Sequence, residues 1–458
     1  MKVFRIIIAV FAVVLLSFAW FNAFKTAGGD TKEYQSYISE GDIAFEKTHY
    51  QEAYIAYEKA LNIKPNEALQ NKIIEAYRLR YEETSDYTDL DSLMTAYSGA
   101  VSRFPKNTEY YENLMRMKMS DSQYNDAMKT YNAAKSNGAV NDEINKLYEQ
   151  LLTVFSERRL NITEIKYADN GFYIGSNGGG WRWIKDNFKT TSNQYYTVMG
   201  PVGDDKIFFS VDPEGKAEFL DTIGIVRGKV KETVTEAGMY SEGKTPVRIK
   251  DNYSYIDLDG NVLFGSYAYA GTFKNGRACV QNDNEKWIII DSEGKQVSSL
   301  EFDDVVTDLY ERCAIGEKRD KIIAKKDGKY RIYDLDLSNI TGELPYEYVG
   351  KYTNDRILAV RTGGKYGFAD MDGKVIIEPS FEDAKSFSNG LAAVKADGYW
   401  SLIARSGKTV IKGKYTEMLY VDASGRCPVI AESSSGSRTN TGYSAIEFKY
   451  FDLLRKGL

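Results

Sequence analysis

The segment 365–395, KYGFADMDGKVIIEPSFEDAKSFSNGLAAVK, decides the fold of the larger, C-terminal part of the chain. Apolar and polar residues alternate on both sides of Asp372-Gly373, a pair that favours a tight hairpin because glycine accepts the positive φ of the turn. Another apolar run, LAAV, begins at Leu391. The segment therefore predicts three or four short antiparallel strands in about 35 residues.

The same frame recurs between residues 204 and 432. The turn positions, spaced 45, 34, 43, 36 and 34 residues apart, are Gly215, Gly260, Gly294, Leu337, Gly373 and Gly407. An aromatic residue stands seven positions before each of them: Phe208, Tyr253, Trp287, Tyr330, Tyr366 and Trp400. We expect these aromatic residues, with Gly260, Gly294, Gly373 and Gly407, to seat one sheet against the next rather than to bind a ligand.

Aspartate recurs three positions before the turn, as in Asp257 and Asp370, with Ala404 the exception in the last unit. A calcium loop needs further oxygen ligands after such an aspartate, and they are missing here. Aspartate also caps the backbone amides of an ordinary turn. We interpret the aspartates as turn residues, and the sequence predicts no metal, cofactor or catalytic site.

These residues resemble the bacterial WG-repeat family, whose unit combines an aromatic-Gly-Phe-Ile-Asp segment, a Gly-Lys turn, an Ile-x-Pro step and Phe-x-x-Gly-Leu-Ala. The match is nearly complete over 365–395, but the second glycine is present only as Gly367. Ser254, Ile288, Arg331 and Ser401 replace it in other units. A unit of this size cannot cover its own faces, so the units must stack. We predict a β-propeller of about six or seven blades, with a linear β-solenoid as the alternative.

Three earlier segments, beginning at Tyr50, Leu90 and Tyr124, place aromatic and small residues three and four positions apart, on one helix face. They resemble the tetratricopeptide-repeat family, and Pro65 and Pro105 stand where that family ends its second helix. The resemblance implies stacked helix pairs with a groove that holds a peptide. The residues expected to pack the helices are Gly41, Ala53, Tyr57, Ala60, Tyr97, Ala100, Ala127, Tyr131 and Ala134.

The N-terminal segment 6–24, IIIAVFAVVLLSFAWFNAF, is long and apolar enough to predict a transmembrane helix. Lys2 and Arg5 precede it, which predicts a cytoplasmic N-terminus and an extracytoplasmic position for the rest of the chain. A cleaved signal peptide, with Ser17 and Ala19 before the cut, is the alternative. The overall prediction is an α+β multidomain protein: a signal anchor over 1–29, tetratricopeptide-like helical repeats over 30–160 and a WG-like β-repeat domain over 161–458.

Few residues are available for chemistry. His49 is the single histidine, which excludes sites built on several imidazoles. The net charge of −6 and the interleaving of basic with acidic residues exclude a general nucleic-acid binder. Cys279, Cys313 and Cys427 occupy similar positions in different units, so we expect them to lie too far apart for a disulfide.

The sequence therefore predicts a membrane-anchored, extracytoplasmic, non-enzymatic scaffold or adaptor that mediates protein–protein interaction in the cell envelope. Its expected partner is a protein or peptide, held by buried aromatic anchors. A cell-wall or carbohydrate binding module is the alternative, because exposed Tyr and Trp rings stack on sugar faces. A carboxylate-dependent hydrolase is the least supported reading, since fold does not imply function and no pair of acids is distinguished.

Overall fold

The computed structural model describes residues 31–168, 171–189, 191–316, 318–431 and 442–457. These residues fall into two compact units, with the boundary between Leu151 and Leu152. The first unit is helical, and the second is built almost entirely of short antiparallel strands.

Helices of 11 to 18 residues, joined by short turns, follow one another through the first unit. The described helices are α1 over 31–46, α2 Tyr50–Ile63, α3 Glu67–Thr84, α4 Tyr87–Arg103, α5 Thr108–Ser120, α6 Tyr124–Ser136 and α7 Asp142–Leu152. Side-chain caps fix several starts: Asn66 accepts a hydrogen bond from the Leu69 amide at 3.1 Å, and Asp86 accepts one from the Thr88 amide at 2.7 Å. Such caps satisfy amides that have no partner inside the helix.

Alanine and tyrosine side chains form the core between these helices. Ala53, Tyr57 and Ala60 of α2 are buried against α1 and α3. The Tyr57 ring lies on Gly41, where an added Cβ would come within 2.4 Å of Cε1 of the ring. The Tyr57 hydroxyl then reaches Asp42 and donates a hydrogen bond of 2.6 Å. Small residues thus let neighbouring helices approach closely.

The second unit contains, within the described ranges, seven antiparallel sheets. In chain order, the first six are sheet 1 (β2 Glu164–Ala168, β3 Phe172–Ser176, β4 Trp181–Lys185), sheet 2 (β5 Val198–Met199, β6 Ile207–Val211, β7 Ala217–Asp221, β8 Val226–Val230), sheet 3 (β9 Val234–Ala237, β10 Thr245–Ile249, β11 Asn252–Ile256, β12 Val262–Tyr267), sheet 4 (β13 Tyr269–Ala270, β14 Arg277–Gln281, β15 Trp287–Asp291), sheet 5 (β16 Asp304–Val305, β17 Lys321–Lys326, β18 Lys329–Asp334, β19 Ile340–Leu344) and sheet 6 (β20 Tyr348–Val349, β21 Ile357–Thr362, β22 Lys365–Asp370, β23 Val375–Phe381).

Sheet 7 has seven strands and joins the two ends of the unit. It contains β24 Asp383–Ala384, β25 Leu391–Ala396, β26 Tyr399–Ala404, β27 Thr409–Met418, β28 Arg426–Ala431, β29 Ser444–Phe448 and β1 Phe155–Arg159. The ten-residue strand β27 pairs with β26 on one edge and with β28 on the other, which makes the sheet continuous. The first strand, β1, pairs along its whole length with β29, and helix α8 (Phe451–Gly457) follows.

Neighbouring sheets pack through shared clusters of buried side chains. Phe172 of sheet 1 packs with Phe208 of sheet 2, and the same kind of cluster joins each later pair. Sheet 1 also packs against sheet 7, where Tyr173 and Ile184 share a cluster with Ala445. Burial of the faces in series supplies the hydrophobic stabilisation that a single unit lacks.

Two predictions are corrected here. The predicted propeller of six or seven equivalent blades is wrong: the strands form six sheets of three or four strands and one of seven, and the described strands do not close into a barrel. The β-solenoid alternative is not found either. The sheets differ in size because the ten-residue strand β27 pairs with both β26 and β28. It thereby joins β24, β25 and β26 to β28, β29 and β1 in one sheet.

The predicted transmembrane helix and single-pass localisation are also corrected. Within the described ranges, no helix is both long enough and apolar enough to cross a bilayer. The helices there bury one face of small and aromatic residues and carry charged residues on the other. The segment 6–24, on which the prediction was based, lies outside the described residues, and we withdraw the membrane-anchored topology.

Candidate functional site

The six aromatic residues selected from the sequence lie in the first two positions of their strands. Tyr253, Trp287, Tyr330, Tyr366 and Trp400 lie on the third strand of their sheets, whereas Phe208 lies on the second strand of sheet 2. Phe208, Tyr330 and Trp400 are buried, and Tyr253, Trp287 and Tyr366 are half-buried. The residues are spread over different sheets and form no common site.

The turn residues selected from the sequence have a backbone role. Gly260, Gly294, Gly373 and Gly407 all have positive φ, and Leu337 adopts the same conformation with φ 57°. In every unit but the last, where Ala404 stands, the aspartate three positions before the turn residue accepts hydrogen bonds from backbone amides across the turn. Asp370, for example, binds the amides of Asp372 at 3.0 Å and Lys374 at 2.9 Å through Oδ1.

The helical residues selected from the sequence lie inside the first unit. Ala53, Ala60, Ala100, Ala127 and Ala134 are completely buried, Gly41, Tyr57 and Tyr131 are buried, and Tyr97 is half-buried. Their side chains face other helices. The residues that define the two repeats therefore stabilise the helix packing and the turns. The recesses of the second unit are lined mostly by other residues.

One recess of the second unit is a polar pocket of about 400 Å³, which we term the loop pocket. Loops that follow the short first strands of sheets 4, 5, 6 and 7 converge on it, together with the first two strands of sheet 1. The side chains that line it include Tyr167, Tyr173, Lys274, Asp308, Arg312, Arg319, Asn354 and Asp422. Residues from five sheets meet here because the sheets pack in series and their loops project to the same side.

Asp308 holds the positive side of the loop pocket in place. Its Oδ1 accepts the amides of Tyr310 at 2.9 Å and Arg312 at 3.1 Å. Its Oδ2 accepts hydrogen bonds from Arg312 Nε at 2.8 Å and Arg319 Nη1 at 3.1 Å. Arg312 is only 3% exposed, so this ion pair is removed from bulk solvent and is strongly held.

Asp422, in the loop between β27 and β28, also lines the loop pocket and caps a similar turn. Its Oδ1 accepts the amides of Ser424 at 2.8 Å and Arg426 at 3.0 Å, and its Oδ2 accepts a hydrogen bond from the buried Tyr173 hydroxyl at 3.1 Å. Burial outweighs these hydrogen bonds and raises the pKa of Asp422 from 3.8 to about 6. The same burial, with the Asp422 charge, raises the pKa of Tyr173 well above its ordinary value.

A second recess, of about 330 Å³, is lined by aromatic and charged side chains, and we term it the aromatic recess. The rings of Tyr253 and Tyr269 lie 5.5 Å apart, and Lys166 Nζ lies 4.9 Å from the centre of the Trp181 ring. Tyr253 donates a hydrogen bond to Glu236. Burial and then the Glu311 charge raise the pKa of Tyr269, so its hydroxyl stays protonated.

Metal binding finds no support in the described part of the chain, where no three His, Cys, Asp or Glu side chains are grouped closely enough to hold an ion. Sequence reasoning missed the loop-pocket residues. One signal was present: the spacing from Gly294 to Leu337 is 43 residues, against 34 in two other units. The extra residues form the loop between β16 and β17, which supplies Asp308, Arg312 and Arg319.

Two segments, 253–287 and 366–400, match the family model described as WG containing repeat. No curated protein matches the chain. Among solved structures, "Kluyveromyces lactis Hsv2" is 10% identical, with a TM-score of 0.37, and the match covers 63% of this chain and 97% of that one. "Kluyveromyces lactis Hsv2 complete loop 6CD" is 11% identical, with a TM-score of 0.36 and the same coverage of both chains. Scores this low support no argument about fold or function, whereas the family match identifies WG repeats in sheets 3, 4, 6 and 7.

Proposed function

We propose that this protein is a non-enzymatic scaffold that binds a segment of a protein partner in the loop pocket. The observation that supports this most directly is the convergence of loops and strands from five sheets on one polar recess. The half-buried Lys274 and the exposed Asn354 line this recess and offer donors to the carboxylates and carbonyl groups of a peptide. Recognition of this kind needs only complementary polar groups held on a rigid frame.

The hydrogen bonds that Asp308 and Asp422 already make argue against hydrolysis. A general acid or base must exchange its proton with the substrate. Asp308 uses one oxygen for two backbone amides and the other for two guanidinium groups. Asp422 likewise uses one oxygen for two amides and the other for Tyr173. Both groups therefore support a structural role in fixing the loops around the recess.

The helical unit is proposed as a second partner surface. The arrangement of α1 to α7 and the buried Ala and Tyr positions agree with the tetratricopeptide-like assignment, which stays a proposal. Its exposed faces carry fixed charges: Arg78 pairs with Glu75 and Glu82, and Arg116 pairs with Glu112 and Glu143. Because each arginine is paired with two glutamates, both groups carry a net negative charge, and a basic segment is the partner that they favour.

The test compares partner capture by the full chain with capture by two charge-reversal variants. Lys274→Glu reverses a charge in the loop pocket, and Lys374→Glu makes the same change at an exposed lysine in a turn of sheet 6. We expect a cross-linked partner to be lost with Lys274→Glu and retained with Lys374→Glu. Equal retention by both variants would contradict binding in the loop pocket. Loss only on deletion of 33–151, which leaves strand β1 of sheet 7 in place, would assign the contact to the helical unit.

Carbohydrate binding is a second candidate function, favoured by the aromatic recess. Trp181, Tyr253 and Tyr269 surround it beside Lys166 and two glutamates, a combination of rings and polar groups suited to a sugar. Retention on immobilised peptidoglycan tests this candidate. Tyr253→Ala should abolish retention, and Tyr366→Ala, which removes the equivalent half-buried ring of sheet 6, should not. Absence of retention by the unaltered chain would reject it.

A further inference from the structure

Cys279 and Cys313 meet in the core between sheets 4 and 5, contrary to the expectation from the repeat. Cys279 lies in the middle of β14, and Cys313 lies in the loop between β16 and β17, directly after Arg312. Both are completely buried, and they belong to one cluster with Ile289, among other apolar residues. The neighbouring Cys313 thiol and then burial raise the pKa of Cys279 well above 9.0.

The backbone around the two cysteines holds them side by side. The Gly271 amide donates to the Cys279 carbonyl at 2.9 Å, and the next amide, of Thr272, donates to the Glu311 carbonyl at 3.1 Å. Thr272 also forms a parallel bridge with Arg312. A short stretch of chain is therefore bonded to the neighbourhood of both cysteines at once.

Gly271 permits this close approach. A Cβ added at this position would lie 2.8 Å from the Glu311 carbonyl oxygen and 3.0 Å from Cys279 Sγ. Any larger side chain would push the 311–313 segment away from β14. The glycine thus lets the segment that carries Cys313 lie close to Cys279, within the same buried cluster.

We propose that Cys279 and Cys313 form a disulfide when the chain folds in the presence of a small-molecule disulfide as oxidant. The thiolate of one cysteine attacks the oxidant, breaks its S–S bond and releases one thiol. The second thiolate attacks the mixed disulfide, forms the Cys279–Cys313 bond and releases the second thiol. Two electrons pass to the oxidant, and each cysteine gives up its proton.

Closure of this disulfide precedes the sealing of the core. In the folded protein, both thiols are inaccessible and Cys279 is held protonated, which makes them poor nucleophiles. During folding the thiols are still exposed, and the hydrogen bonds around Thr272 bring them together. The bond then fixes the loop that carries Asp308, Arg312 and Arg319 to sheet 4.

Cys427 stays a thiol in this scheme. It lies in β28 of sheet 7, where its Sγ donates to the Leu419 carbonyl at 3.1 Å, and burial raises its pKa. It is not a member of the cluster that contains the other two cysteines. This residue therefore provides an internal control for non-specific oxidation.

The experiment is refolding of the denatured, reduced full chain in a mixture of oxidised and reduced glutathione, followed by alkylation under denaturing conditions and mass spectrometry. We expect one alkylated cysteine per chain, Cys427, and a tryptic species linking 278–286 to 313–318. Cys427→Ser should keep this linkage, and Cys279→Ser should abolish it. Three alkylated cysteines, or a linkage to Cys427, would overturn the proposal.

A second measurement separates the disulfide from the packing of the two side chains. The urea midpoint of the oxidised chain should fall when reductant is present during unfolding. The doubly substituted chain, Cys279→Ser with Cys313→Ser, should show no response to reductant. An equal response of both chains would assign the effect to another cause. Neither readout depends on partner binding, so failure here leaves the proposed function untouched.

Discussion

The Tyr173 hydroxyl donates a hydrogen bond of 3.1 Å to Asp422 Oδ2, across 249 residues of sequence. Tyr173 lies in the second strand of sheet 1, and Asp422 lies in the loop between β27 and β28 of sheet 7. The bond therefore ties the beginning of the β unit to its end. It also places a carboxyl with a raised pKa at the edge of the loop pocket.

The raised pKa of Asp422 predicts a specific dependence of stability on pH. The folded protein binds this proton more tightly than the unfolded chain does. The stabilisation is therefore complete below the ordinary pKa of 3.8 and is lost as pH rises through about 6. Asp422→Asn removes the titration, so the variant should gain about 2 kcal/mol relative to the parent between pH 4.5 and pH 8. Urea unfolding at both pH values measures this difference.

Asp291→Asn is the matched control, because Asp291 caps an equivalent turn in sheet 4. Burial opposes its ionisation, but the amides of Lys295 and Glu293 outweigh burial and lower the pKa. Its contribution to stability is present above pH 3.8 and is lost as pH falls through the lowered pKa. Between pH 4.5 and pH 8 the stability of Asp291→Asn relative to the parent should therefore stay nearly constant, whereas that of Asp422→Asn rises. Parallel changes would refute the assignment for Asp422.

A second tyrosine, Tyr167, also joins sheets 1 and 7, and its hydrogen bonds should contribute to the stability of the protein. The Tyr167 hydroxyl accepts the Tyr420 amide at 2.6 Å and donates to the Tyr420 carbonyl at 3.1 Å. Tyr167→Phe leaves both backbone groups without this partner and should destabilise the protein by about 2 kcal/mol. Tyr195→Phe, at a tyrosine that is 36% exposed, should cost less than about 0.5 kcal/mol. Denaturant unfolding of both variants decides the point; equal losses would contradict it.

Hairpins and buried helix faces could be predicted from the sequence because they depend on residues that are neighbours in the chain. The turn at Gly373 needs only a positive φ, and the spacing of Ala53, Tyr57 and Ala60 needs only one helix. Leu337 is not a glycine, but its position in the repeat still predicted it as a turn residue. Local periodicity carries this information directly.

The contacts between repeat units could not be predicted in the same way. Cys279 and Cys313 were expected to lie apart because equivalent positions of different repeats are distant. The insertion between β16 and β17 breaks that equivalence and brings Cys313 beside β14. Phe208 shows the same difficulty, since it matches the repeat spacing and yet lies one strand earlier than its counterparts. A repeat pattern gives the register within a unit, but an insertion changes which units share a core.

At Gly367 the two neighbouring strands approach too closely for a side chain. It lies opposite an irregular register between β22 and β23, and an added Cβ would come within 2.6 Å of the Ile377 carbonyl oxygen. In sheet 3 the close approach of the two strands is permitted by a glycine on the partner strand. A Cβ at Gly265 would lie 2.7 Å from Ser254 Cα. This exchange explains why Ser254 replaces the family glycine there.

Gly367→Ala should therefore destabilise the protein by about 1–3 kcal/mol, since the obstacle is backbone that cannot move aside. Gly342→Ala is the control on the outer strand of sheet 5. Its Cβ would approach only the Ile332 Cδ1 atom, at 3.1 Å, the end of a flexible side chain. We expect a cost below about 1 kcal/mol for that variant. Equal unfolding midpoints for the two variants would show that the close approach at Gly367 is not limiting.

Gly41 and Gly99 give the corresponding prediction for the helical unit. Alanine is favoured over glycine inside a helix by about 1 kcal/mol, so both substitutions gain the same intrinsic term. At Gly99 an added Cβ would meet only the mobile end of Arg103, at 3.0 Å, and Gly99→Ala should stabilise the protein. At Gly41 the Cβ would enter the Tyr57 ring, which is pinned by its bond to Asp42, and the overpacking should reverse the sign by about 1–3 kcal/mol. Thermal unfolding followed by circular dichroism measures both changes. Stabilisation by Gly41→Ala would mean that the Tyr57 ring is free to move, and that the small residue at position 41 is not what sets the distance between α1 and α2.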